Sequence, residues 1–211
     1  TAVPKYQDGS FRFHFPQKNG GALALWGLGG NSSIDIVISD QVAPERNIYG
    51  DNDRDQYFRT GMGIAGATYT LPINKKTYIK ATLAASRDRQ FSNHNLVYRE
   101  LEVPPAVADS AYRLDSITPF MAYDFNKDRL ALALHANRKL NPIAGGPATL
   151  RFGLNADLTR WTFLDSIRTL PDDPSAPLGD WGRRWDAAMN SLMVQPFAQL
   201  KLRPSEPWTV N

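Results

Sequence analysis

The sequence predicts an all-β chain: a segment of an antiparallel transmembrane β-barrel with about seven to eight long strands, short turns at one end and long loops at the other. Three observations carry that expectation. Apolar and polar residues alternate with period two over stretches of ten residues or so, as a half-buried strand requires. Those stretches exceed the roughly five or six residues usual in globular strands and match the roughly nine to eleven that a tilted strand needs to cross a bilayer. The links between them are alternately short and long, a rhythm of membrane barrels that a soluble meander has no reason to keep.

Taken in order, residues 11–16 run through the turn formers Gln17-Lys18-Asn19-Gly20-Gly21 into 22–38, where two apolar stretches flank Gly29-Gly30-Asn31-Ser32-Ser33. A charged loop over 39–56 leads to a strand at 57–71, a short turn at Ile73-Asn74-Lys75-Lys76 and a strand at 77–90. Residues 91–128 are polar and proline-dotted, with Pro104-Pro105 in the middle, and predict a long connection. Strands follow at 129–139 and 150–165 around a tighter link with Gly145-Gly146, then a long loop over 167–190, a strand at 191–202, a turn through Pro204 and Pro207, and the start of another strand at Trp208.

The alternation is most complete in 150–159, where Leu150, Phe152, Leu154, Ala156 and Leu158 oppose Arg151, Gly153, Asn155, Asp157 and Thr159. The sets Leu130-Leu132-Leu134-Ala136, Ile79-Ala81-Leu83-Ala85 and Leu192-Val194-Pro196-Ala198-Leu200-Leu202 repeat it. The glycine-rich stretches 22–30 and 61–71 choose no face. Aromatics gather toward strand ends: Tyr69 and Tyr78 beside one short turn, Trp208 after another, and Tyr57, Phe58, Phe91, Trp161 and Phe163 toward the long loops, as interfacial girdles would.

A composition of 42% hydrophobic and 21% charged residues excludes a disordered chain, and no apolar run reaches the length of a membrane helix. A formal net charge of only +3, with cations scattered among acids, gives nucleic acid no footprint. The absence of cysteine removes disulfide frameworks, thiolate zinc sites and cysteine nucleophiles. The N-terminus Thr1-Ala-Val-Pro is neither an initiator nor a leader, and the last strand is cut short, so a processed chain or a fragment is expected.

Chemistry-bearing patterns are weak. Asp51, Asp53 and Asp55 stand at alternate positions as a calcium loop begins, but Gln56 replaces the turn glycine and Met62 the bidentate glutamate; a solvated outer loop is the better account, another calcium geometry being left open. His14, His94 and His135 show no ligand spacing, and no nucleophile elbow, phosphate loop or dinucleotide fingerprint occurs. Asp172, Asp173, Asp180 and Asp186 read as solvated loop acids. Trp181, Trp185, Ala188 and Leu192 fall at helical spacing, which predicts a short helix in the last loop, either covering the barrel mouth or presenting Trp181 and Trp185 to a ligand. No enzyme, cofactor or metal site is expected.

Trp26-Gly27-Leu28-Gly29-Gly30, Ser33-Ile34-Asp35-Ile36, the run from Tyr49 to Tyr57, Thr149-Leu150-Arg151-Phe152-Gly153 with Asn155-Ala156-Asp157, and Gln195-Pro196-Phe197-Ala198-Gln199 together resemble the barrel of TonB-dependent outer-membrane receptors of Bacteroidetes-type bacteria. The resemblance spans nearly the whole chain and implies a 22-stranded-type barrel around an N-terminal plug. No plug sequence is visible, so residues 1–211 are expected to be a partial barrel, with the plug and TonB as partners through a missing N-terminal part. The implied role is uptake of a large or scarce nutrient, of metal-chelate, glycan or peptide class, across a bacterial outer membrane. On the barrel reading Lys80, Thr82, Ser86, Arg151, Asn155, Asp157, Gln195, Gln199 and Lys201 face the lumen and contact plug or water, while the opposite face contacts lipid. The rival readings are a soluble all-β carbohydrate-binding module using Trp181 and Trp185, and a passive porin.

Overall fold

A computed structural model describes residues 2–44, 50–102, 110–143, 145–173, 176–205 and 208–210, with backbone alone for 204–205 and 208–210. Tyr49, Pro104, Pro105, Glu206 and Pro207 lie outside that set. The described residues form one antiparallel sheet of eight strands in sequential order: β1 (Lys5–Pro16), β2 (Ala22–Ile36), β3 (Arg54–Asn74), β4 (Thr77–Glu102), β5 (Ala111–Lys139), β6 (Ala148–Arg168), β7 (Trp181–Ser205) and a three-residue β8 (Trp208–Val210). No helix is present among them, and the sheet is open, because β1 and β8 each pair on one side only.

Two expected elements need correction. The polar segment 91–128 is not a long connection: β4 and β5 run to 26 and 29 residues and pair with each other from Thr77↔Arg138 to Glu102↔Ala111. Polar and apolar residues are mixed on both faces in this part, so no period-two signal marks it, yet ladder hydrogen bonds and cross-strand ion pairs such as Arg89–Asp124 and Arg113–Glu100 hold it extended. Pro119 is accommodated beside the bulge at His94/Asn95, where the ladder is already interrupted. Likewise β7 begins at Trp181, so the expected helix is strand. The helical spacing gives no common face here: Asp165↔Trp185 and Leu158↔Leu192 put Trp185 and Leu192 on opposite sides of the sheet, and pairing with β6 along the whole segment makes it strand.

The register joins the four alternating sets into one face. A row runs Phe11–Gly27–Ala65–Ala85–Leu130–Leu158–Leu192, and the next runs Phe13–Leu25–Ala67–Leu83–Leu132–Ala156–Val194. Rows through Leu134 and Ala136 continue it toward the short turns. The glycine-rich β2 and β3 therefore do choose a face; they join through small residues that carry little periodic signal. This apolar face is bare: Leu83 is 52%, Leu158 52% and Leu192 70% exposed. The chain exposes 14754 Å², against about 9,800 Å² expected of a compact protein of 23.5 kDa. A cluster of buried hydrophobics, Leu96, Phe120 and Leu178 with Met121 and Ile167 packed on it, sits at the long-loop end, away from that face.

The short turns are staggered. Counted from the Phe11–Leu192 row, the strand ends lie five residues away in β1 and β2 (Pro16, Ala22), nine and eight in β3 and β4 (Asn74, Thr77), nine and ten in β5 and β6 (Lys139, Ala148), and thirteen in β7 (Ser205). The sheet is thus sheared steadily in one direction.

Candidate functional site: the polar face

The face opposite the apolar rows collects the polar residues. Lys80, His135 and Gly153 form one cross-strand row there, and Thr82, Ala133, Asn155 and Gln195 the next. Ser86 stands opposite Arg129, Arg151 opposite Gln199, and Lys201 opposite Thr149. All nine residues expected on the lumen side therefore share one face, and the contacts tie several together. Arg151 Nη2 lies 3.3 Å from His135 Nδ1, and His135 Nε2 lies 3.4 Å from the Asn155 side-chain oxygen. Arg129 grips Asp157 with two hydrogen bonds, from Nε at 3.0 Å and Nη2 at 2.8 Å, and Asp157 is buried.

Toward the long loops the same face turns aromatic. Tyr123 stacks on Phe125 (4.8 Å), Phe125 meets Phe163 edge-on (5.5 Å), and Phe163 lies between Trp161 and Trp185 (6.2 Å each), with Lys127 Nζ 4.8 Å from the Trp161 ring. Trp185 is thus a strand residue beside this group, while Trp181 pairs with Arg168 at the start of β7. The aromatics are consequently not girdles on one face: Trp161 and Phe163 lie on the polar side, as does Tyr78, and Tyr57, Tyr69 and Phe91 on the apolar side. The Trp208 side chain lies outside the described residues.

Above this group a buried polar set joins β3 to β4, which the sequence did not announce. Gln56 and His94 are register partners; the Gln56 amide donates to His94 Nδ1 (3.4 Å) and to Asp51 (3.3 Å), and its carbonyl accepts the Asp51 amide (3.0 Å). His94 Nε2 and Ser92 Oγ are buried with no hydrogen-bond partner, and Phe58 meets the imidazole edge-on. Burial, seconded by the Arg54 cation, lowers the His94 pKa below its ordinary 6.5, so the neutral ring is favoured. The signal was period two, Gln56-Phe58 against Ser92-His94, hidden because the polar outer strands show no apolar alternation.

The three aspartates do not converge on a cation. Asp55 is fully buried and folds the β2–β3 loop back, accepting from the amides of Ile38 (2.8 Å) and Ser39 (2.9 Å) and from the Ser39 hydroxyl (2.7 Å). Asp53 takes two hydrogen bonds from Arg54, which hold its carboxyl below the ordinary carboxylate range, and Asp51 is 3.3 Å from the same guanidinium. No group of three or more His, Asp or Glu side chains with metal-binding geometry occurs among the described residues. Asp172, Asp173 and Asp180 lie between β6 and β7, whereas Asp186 is in β7 and pairs with Arg183.

Comparison of the chain with protein-family models, with curated proteins and with solved structures finds no match. The functional reading accordingly rests on the two faces of the sheet.

Proposed function

We propose that this sheet is part of the wall of a transmembrane β-barrel in a bacterial outer membrane, its apolar face toward lipid and its polar face toward a lumen. The observation that carries the reading is the bare apolar face itself. In water about 25 cal/mol is forfeited for each Å² of apolar surface left exposed, a cost that a bilayer removes. The apolar rows are bounded on the long-loop side by the charged row Arg87, Asp128, Arg160, where the ion pair Arg87–Asp128 marks a return to water. A soluble carbohydrate-binding module would need a second layer over the apolar rows.

The shear supports closure. From five residues at β1 to thirteen at β7 the turns shift by about 1.3 residues per strand, which at ~3.3 Å per residue and ~4.8 Å between strands inclines the strands by about 42°. Closed membrane barrels tilt by roughly 35–45°. Seven strands of this tilt and a stub of an eighth need further strands at both free edges, because an open edge cannot be satisfied in hydrocarbon.

Within that frame the resemblance to TonB-dependent receptors supplies the transport role: nutrient uptake, with the nine polar-face residues lining the path or meeting a plug, and no covalent chemistry. The aromatic group of Phe125, Trp161, Phe163 and Trp185 stands on the lumen side, where an incoming ligand passes. The test is electrophoretic. The membrane-extracted protein is expected to migrate faster cold than boiled, as a closed barrel does; a water-soluble protein with the same mobility in both states contradicts the reading.

A further inference from the structure

Above the apolar rows, on the same face, Lys5, Arg59, Arg87 and Arg89 line a cavity of about 720 Å³. No carboxylate is among its lining residues. Each arginine is ion-paired at the side, with Asp35, Asp128 and Asp124 respectively, but the pairs leave donors free: Arg87 is held through Nε alone, and Arg89 through Nε and Nη2. Lys5 has no ion-pair partner among the described residues.

The cavity continues through Gly63 and Arg87, which line both, into a groove of about 1060 Å³ that is mainly apolar, with Asp128, Arg129, Arg160 and Asn190 also among its lining residues. Gly9, Gly29 and Gly63 stand abreast across β1, β2 and β3 and open its floor, and Phe11, Leu130 and Leu158 also line it. A Cβ added at Gly9 or Gly63 would meet nothing within 4 Å. The floor is therefore kept low where no neighbouring side chain requires it.

The polarity fixes the occupant. It must be apolar toward the middle of the belt and anionic at its edge, in the order in which a membrane lipid lies. We infer that this face holds a phosphate-bearing lipid of the outer leaflet, its acyl chain over the glycines and its phosphate against Lys5, Arg59, Arg87 and Arg89. The assignment rests on the barrel reading above, since only then does the face meet a leaflet. Guanidinium suits phosphate because its planar fork donates two parallel charge-assisted hydrogen bonds.

The experiment reconstitutes the full-length protein into phosphatidylcholine vesicles containing bis-phosphorylated lipid A, re-extracts it in mild detergent and counts bound lipid by native mass spectrometry. The unmodified protein is expected to retain lipid A. Arg59→Gln combined with Arg89→Gln is expected to lower retention by about tenfold. Gly63→Leu, which fills the groove and leaves every cation in place, is expected to lower it comparably, with the cold-versus-boiled shift unchanged in both variants. Dephosphorylated lipid A is expected not to be retained, and free inorganic phosphate not to displace the bound lipid.

Retention unchanged in either variant, or equal for the dephosphorylated lipid, overturns the assignment, as does a second copy of the protein covering the face in place of lipid. Displacement by inorganic phosphate would reduce the site to an anion site and overturn the acyl part. These outcomes leave the barrel reading standing. An unmodified protein that neither inserts into vesicles nor shows a cold-versus-boiled shift fails on the barrel reading itself.

Discussion

Leu83→Arg is expected to prevent stable membrane insertion, and Thr82→Arg, one residue earlier, to permit it. Leu83 sits in the middle of the exposed apolar rows, between Ala67 and Leu132, whereas Thr82 faces the other way between Thr68 and Ala133. An arginine on the lipid face near the bilayer midplane costs about 2–4 kcal/mol, while one on the lumen side keeps its hydration. Lys80, two residues from Thr82 on the same polar face, already places a charge there. The loss at Thr82 is small: its hydroxyl shares a 3.1 Å contact with Thr68, which also accepts from Trp26 Nε1. Folding into vesicles, read by the cold-versus-boiled shift, is expected to fail for the first variant and survive in the second. Equal tolerance of both would mean that the apolar face does not meet lipid.

Gly153→Ala is expected to destabilise the sheet by about 1–3 kcal/mol, and Gly63→Ala to be nearly neutral. At position 153 an added Cβ would press into the Leu134 carbonyl and within 2.9 Å of the Phe197 ring, and the backbone atom cannot yield as the flexible end of a side chain could. The Phe197 ring is held in turn by its edge contact with His135 and by the Arg151 guanidinium, so the clash reaches the polar-face residues that share this spot. At position 63 the same methyl meets nothing within 4 Å. Urea unfolding of the two variants measures the difference; equal stability would contradict the packing described around Gly153.

These two contrasts show what was legible beforehand. Where one face is apolar and the other polar, as in residues 77–86, 129–138, 150–159 and 191–202, alternation alone assigns each side chain to a face, and the register confirms the assignment row by row. Legibility fails where that contrast vanishes. In the outer halves of β4 and β5 polar and apolar residues are mixed on both faces, so a 29-residue strand reads as a proline-dotted loop, although Arg89–Asp124 and Arg113–Glu100 pair across it as they would in any ladder. In β2 and β3 glycine and alanine supply the apolar face without announcing it.

The candidate site divides along the same line. The nine polar-face residues lie in strands with readable alternation, blurred in β7 by Met193 and Phe197, and the register puts them on one face. The Gln56–His94 pair, the aromatic group from Tyr123 to Trp185 and the arginine-lined cavity each depend on cross-strand neighbours far apart in sequence, with Arg59 and Arg89 joined only by the β3–β4 register. The aspartates at 51, 53 and 55 read as a solvated loop, and Asp55 departs from that because it is fully buried. Asp51 and Asp53 precede β3 and engage the Arg54 guanidinium, while Asp55 is spent on the Ile38 and Ser39 amides.

The central claim, that one face of this sheet meets lipid and the other water, is tested most directly by single cysteines along β4, in a chain that has none of its own. Cysteine would replace Ile79, Lys80, Ala81, Thr82, Leu83, Ala84, Ala85 and Ser86 in turn, in protein embedded in its membrane, and be challenged with a water-soluble thiol reagent and a lipid-confined quencher. The account predicts strict alternation: quenching at 79, 81, 83 and 85, aqueous labelling at 80, 82 and 86, and less labelling at the buried position 84. Uniform aqueous labelling, or quenching without a period of two, would contradict it.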